Sequence, residues 1–171
     1  SPRQTLQNAV VAKGASTRGL QCLDALVADA LGLAPDALEY LKRLETPRVY
    51  RFCAIPQVMA IATLAECFDN PNLFTGVVKI RKGLAARLIL QSQTHDATLC
   101  WFDHFARAIL HKLPASAADD DTKRSLESSC LAIVQIAQPA VTRRATTRKA
   151  LFALGVTVSV AALALLADFL K

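Results

Sequence analysis

The sequence predicts an all-α protein. Three observations carry this: long Ala/Leu-rich stretches with apolar residues at helical spacing, only 6 Gly and 7 Pro in 171 residues, and prolines placed where helices begin. The length suits one domain with its own core and is short for two. With 53% hydrophobic and 20% charged residues, disorder and collagen-like order are excluded.

Residues 1–19, which include Gly14, Ser16, Thr17 and Gly19, lack a sustained apolar stripe and read as a connector. The domain is expected over 20–138, with helices near 20–31, 35–45, 47–69, 71–92, 96–112 and 122–138. Pro35 with Asp36, Thr46 before Pro47 and Asn70 before Pro71 put proline at a first helical position, the latter two behind a capping residue. The fifth helix carries Leu99, Phe102, Phe105, Ala106, Ile109 and Leu113 on one face, the pattern of an amphipathic helix with a buried side. Leu113 to Thr122 reads as a polar loop, and Pro139 opens a second break into a basic collar, 139–149.

From Ala150 to Ala167 the chain carries no charge, and only Thr157 and Ser159 interrupt its apolar character. As a helix this run is roughly 27 Å long at about 1.5 Å per residue, enough to cross a hydrocarbon core of about 30 Å. A transmembrane tail anchor is expected over 150–170. Arg143, Arg144, Arg148 and Lys149 precede it, and the positive-inside rule then keeps the N-terminal bulk cytosolic. The residues after Ser1 show no charged n-region followed by an apolar core, so no N-terminal signal peptide is expected among them.

The balance of 20 Lys+Arg against 14 Asp+Glu gives +6 and raises nucleic acid, anionic lipid or phosphorylated small molecules as partners. Cys22, Cys53, Cys67, Cys100 and Cys130 are odd in number and form no CxxC pair, so they read as free thiols in a reducing compartment. No metal site is expected. His95, His104 and His111 have no matching cluster, Asp119-Asp120-Asp121 reads as a solvated run, and no DxxxD pair sets two carboxylates on one helix face.

Two segments hold chemical interest. Phe52 to Leu64 (FCAIPQVMAIATL) is apolar on every helical face except for Gln57 and Thr63, so it is expected to be surrounded. Pro56 within it clashes with the carbonyl of Phe52, and a kink is expected there. Two readings stand: a core helix with a tolerated proline, or the wall of an apolar pocket with Phe52 and Cys53 at the break. In the second segment, Lys79, Arg81 and Lys82 lie close together on the expected helix 71–92, either as a solvated face or as contacts to phosphate.

FCAIPQVMAIATLAECF (Phe52 to Phe68), followed by LFTGVVKIRKG (Leu73 to Gly83), closely resembles eukaryotic squalene synthase. The resemblance covers roughly Leu20 to Pro114 and extends to the C-terminal anchor in character. It implies the C-terminal part of an all-α isoprenoid synthase fold, plus the transmembrane helix. It also implies the family's two-step reaction, coupling of two farnesyl diphosphates to presqualene diphosphate and reductive rearrangement to squalene with NADPH and Mg²⁺. Phe52 then matches the aromatic of the second step, with Tyr50, where the family commonly carries Phe, as a second catalytic candidate. Cys53, Pro56 and Gln57 match the pocket wall; Lys79, Arg81 and Lys82 match the cofactor and diphosphate positions.

Both aspartate-rich motifs of the family are absent from these residues, so the Mg²⁺ ligands are expected outside them and this segment alone is expected to be inactive. The resemblance implies isoprenyl diphosphates and the endoplasmic-reticulum membrane as partners, and no nucleic acid. A non-catalytic tail-anchored scaffold, or a degenerate family member, is the alternative. Coupling without reduction, as in phytoene synthase, is disfavoured by KIRKG and the tail.

Overall fold

The helix-forming stretches fold into α1 (Lys13–Gly32), α2 (Ala34–Lys42), α3 (Pro47–Cys67), α4 (Lys82–Gln91), α5 (His95–Lys112) and α6 (Asp120–Phe169), with 3₁₀ turns at Pro71–Phe74 and Leu113–Ala115. No strand occurs among the described residues, as an all-α chain requires. The structure is a computed structural model that describes the backbone of residues 13–169 and the side chains of 17–150. Residues 1–12 of the expected connector, and all but the first residue of the expected anchor at 150–170, lie outside the described side chains. Among the residues whose side chains are described, 17–150, no helix is long and apolar enough to cross a membrane, and the expected anchor, its first residue apart, lies beyond them.

One stripe organises the packing. Leu126, Cys130, Ile133, Ala137 and Ala140 follow one another at three- or four-residue steps along α6, each with no exposed surface. α1, α2 and α5 all pack on α6. The expected face of α5 (Leu99, Phe102, Phe105, Ala106 and Ile109) is buried, together with Leu113, and joins Val27, Leu31, Leu38, Val58 and Ile61 in one core. A fully buried Leu, Ile or Phe contributes about 1.5–3 kcal/mol against its exposed state.

α5 fixes α3 at both ends. Near the start of α3 the Tyr50 hydroxyl donates to Thr98 Oγ1 at 2.8 Å. At its end Lys112 Nζ donates to the carbonyls of Ala65 at 2.7 Å and Phe68 at 3.5 Å, acceptors that a helix C-terminus leaves unpaired. The two helices therefore run in the same direction. Beside this end Asp69 takes a left-handed conformation (φ 50°), donates its N–H to Asp24 Oδ1 at 2.9 Å and accepts from the Ala117 N–H at 3.3 Å.

Three expectations are corrected. α1 begins at Lys13, inside the stretch read as a connector. The helix expected over 71–92 is instead a 3₁₀ turn, a non-helical run over 75–81 and then α4. Gly76 and the β-branched Thr75, Val77, Val78 and Ile80 favour extended backbone and outweigh the local charge pattern. α6 continues through Pro139, so the collar 139–149 is part of that helix and not a break; the helix already holds its neighbours there through Ala137 and Ala140. Pro56, where a kink is expected, lies inside α3.

Asp24 shows no exposed surface, and its Oδ2 has no partner. Burial pushes its carboxyl above the usual value, opposed by the Asp69 N–H bond, with further raising by the Asp69 carboxylate and lowering by Lys112. A raised folded pKa means that the fold prefers the protonated acid. That contribution is complete below the unfolded pKa and is lost as pH rises through the folded one. Asp24→Asn keeps the acceptor and removes the charge, so it should raise Tm near neutral pH and change it little at about pH 3. Asp24→Ala leaves the Asp69 N–H unpaired and should cost about 1–3 kcal/mol at both pH values. Thermal unfolding followed by circular dichroism checks both, and an equal shift for the Asn variant at the two pH values would show that the charge plays no part.

Candidate functional site

α3 carries most of the candidate residues, and its geometry divides them. At 3.6 residues per turn, positions 50 and 52 point about 200° apart. Tyr50 faces inward at 6% exposure, whereas Phe52 is 81% exposed. Tyr50 packs with Leu41 and Ala54, with Cys53 at the edge of that cluster, and its ring stacks on His95 at a centroid distance of 6.4 Å. Burial pushes the Tyr50 hydroxyl above its ordinary pKa, the Thr98 bond lowers it, and Asp96 raises it. Tyr50 and Phe52, the two catalytic candidates, thus face opposite sides of α3, and the hydroxyl that departs from the family pattern is used between α3 and α5.

Phe52 to Leu64 is expected to be surrounded, and the described residues of this chain cover only one side of it. Ala54, Val58, Ile61 and Ala62 are buried, while Phe52, Pro56, Gln57 and Ala60 are exposed. Phe52, Pro56 and Ala60 are spaced four apart and form one uncovered apolar stripe. Gln57 sits beside it, at a cleft of about 250 Å³ lined by Ala30, Leu33, Ala37, Ala60 and Leu64. The cleft offers apolar carbon and one amide, which suits a hydrocarbon more than a charged group. Of the expected wall residues, Phe52, Pro56 and Gln57 lie on this outer side, and Cys53 lies toward the interior.

The cations are displayed differently from the helical expectation. Over 77–81 exposure alternates: Val77, Lys79 and Arg81 are exposed, and Val78 and Ile80 are half-buried. Ile80 packs on the main core and so holds the run in place. Arg81 is the N-cap of α4 and Lys82 its first residue, with no acidic residue in the first turn. Positive side chains at a positive helix end leave a local field that favours an anion. None of the three side chains makes a hydrogen bond or ion pair with another described residue. Upstream, a Cβ on Gly19 would meet the tip of the half-exposed Phe74 ring at 3.1 Å, so glycine lets this turn sit close on α1 without displacing the ring.

Among the described residues no group of three or more His, Cys, Asp or Glu side chains could hold a metal ion. Asp119 accepts from the Thr122 N–H at 2.7 Å and Asp121 pairs with Arg124 at 2.6 Å, so two members of the acidic run stabilise the start of α6. Sequence reasoning missed Thr98 and His95. Only their position opposite Tyr50 gives them a role, and no local pattern signals it.

Comparison with known proteins finds similarity to squalene synthases. The chain is 47% identical over 110 residues to the squalene synthase of Dictyostelium discoideum, covering 63% of this chain and 26% of that protein. It is 42% identical over 110 residues to the squalene synthase of Homo sapiens, covering 64% and 26%. It therefore spans about a quarter of the length of the curated relatives it matches. The solved structure of TcSQS in complex with a ligand superposes with a TM-score of 0.67 at 32% identity, covering 77% of this chain and 38% of that one. No family model matches the chain.

The division of α3 sets an expected outcome for stability. Tyr50→Phe removes the bond to Thr98 and should cost about 0.5–1.5 kcal/mol. Phe52→Ala removes a side chain that buries little and should stay within about 0.5 kcal/mol of the parent. Urea denaturation of this chain measures both, and a larger loss for Phe52→Ala than for Tyr50→Phe would reverse the assignment of inner and outer faces.

Proposed function

Because the chain is homologous to squalene synthases over about 60% of its length, we propose that it forms one wall of a squalene synthase. The whole enzyme couples two farnesyl diphosphates to presqualene diphosphate and reduces this to squalene. The observation that carries the reading is the uncovered apolar stripe of Phe52, Pro56 and Ala60 beside the Gln57 cleft, within the segment most similar to the family. A face of this kind suits contact with an isoprenoid chain and with further helices of the enzyme.

In this reading Phe52 offers its π face to a carbocation, worth about 0.5–2 kcal/mol depending on desolvation. Gln57 supplies the one amide of the cleft. Lys79, Arg81 and Lys82 fit the phosphates of a nicotinamide dinucleotide, since they are exposed cations without an ion-pair partner at a helix N-terminus. NADPH supplies hydride when bound, and these three residues hold its charge. The described residues do not fit Mg²⁺; its ligands belong to residues outside this segment, which is inactive by itself. The apolar run from Ala150 to Ala167 anchors the protein in the endoplasmic-reticulum membrane with the bulk of the chain cytosolic.

The lack of a carboxylate cluster among the described residues favours one second reading, a tail-anchored helical scaffold without catalysis. Complementation of squalene-synthase-deficient cells by the full-length gene separates the two, since a scaffold does not restore growth. In the complete enzyme Phe52→Ala should leave presqualene diphosphate formation near the parent rate and reduce squalene formation about tenfold or more, the scale of a lost cation–π contact of about 1.4 kcal/mol. Equal loss in both steps would return Phe52 to a structural role. Lys79→Ala with Arg81→Ala should raise the KM for NADPH about tenfold, as the loss of charge-assisted bonds implies; an unchanged KM would make these cations a solvated face.

A further inference from the structure

The first turn of α5 and the 140–148 stretch of α6 enclose an open groove of about 600 Å³. Ala97, Cys100 and Ala140 give it an uncharged floor, and Arg143, Arg144 and Arg148 give it a basic rim. Asp96 accepts from Arg143 Nε at 3.0 Å and Nη2 at 2.7 Å, so this one guanidinium is neutralised and its fork is held in place. Arg144 and Arg148 have no acidic partner within ion-pair distance among the described residues. They stand four apart on one helix, where like charges repel. The groove thus carries two uncompensated positive charges above an uncharged floor.

We propose that this groove binds a phosphate monoester, with Arg144 and Arg148 as its ligands and the Arg143–Asp96 pair as a fixed wall. Guanidinium forks match phosphate oxygens in geometry and charge, and a dianion would relieve the repulsion between the two arginines. The chemistry is shared by the headgroup of phosphatidic acid and by free phosphate. The position favours the lipid: the uncharged run begins at Ala150, about 3 Å along the helix axis from Arg148. A phosphate seated here lies level with the start of that run. The inference does not depend on the squalene synthase reading.

Thermal unfolding of the full chain in detergent micelles tests it, with phosphatidic acid, phosphatidylcholine or inorganic phosphate added to separate samples. Phosphatidic acid should raise Tm in a saturable way, and phosphatidylcholine should not. Arg144→Gln with Arg148→Gln should weaken the apparent affinity about tenfold or more, the scale expected for lost charge-assisted hydrogen bonds. Both side chains are exposed and without described partners, so the double variant keeps its helix; Arg124→Gln, outside the groove, should retain the parent response. A rise with phosphatidic acid alone identifies the lipid headgroup as the source, and an equal rise with inorganic phosphate identifies the free ion. No rise with either probe, or the same rise in the double variant, would overturn the proposal.

Discussion

The unbroken stripe of Leu126, Cys130, Ile133, Ala137 and Ala140 on α6 is the constraint to which the other helices conform. The small residues at 137 and 140 let neighbouring backbones come close, and the larger ones before them fill the core between the helices. With α5 set against this line, the positions of Thr98 and Lys112 are decided. Those two side chains then hold α3 at Tyr50 and at Ala65, so the orientation of the candidate face is inherited from α6 through α5. Cys130 belongs to the same line, and burial alone pushes its thiol up to about 12, which makes it a packing residue rather than a nucleophile.

The sequence was legible where its pattern had one period and two kinds of residue. α5 shows this: apolar and polar positions alternate at helical spacing, and the expected face is the buried one. α3 is the opposite case, because a helix that is apolar all round contains no polar stripe to say which side faces out. Its inward side is chosen by Tyr50 and its distant partner Thr98. The run before α4 failed for another reason. Three nearby cations drew attention to charge, while the period-two alternation of Val77 to Arg81 carried the information about backbone. At Pro139 the rule that proline ends a helix gave way to tertiary packing on either side.

The candidate site was legible in identity more than in arrangement. The residues that resemble squalene synthase are those that form the exposed stripe and the cationic run, and the comparisons find similarity to that family over about 60% of the chain. Their chemistry alone left open a core helix and a solvated charge cluster. The structure narrows this physically. Phe52 has most of its surface uncovered by the described residues, and Lys79 and Arg81 are held outward by the half-burial of Val78 and Ile80. Tyr50, by contrast, is occupied by the fold.

The continuity of α6 has a mechanical consequence. A helix of 50 residues spans about 75 Å along its axis, and the backbone stays helical across Pro139 from its packed half into its distal half. Any tilt of the far end is therefore delivered to the helical core as rotation, with the stripe at 126–140 acting as the clamp. A flexible tether would let the core sample all orientations about its attachment. A stiff shaft removes most of those degrees of freedom, so the direction in which the Phe52 face looks is set by the attitude of the shaft.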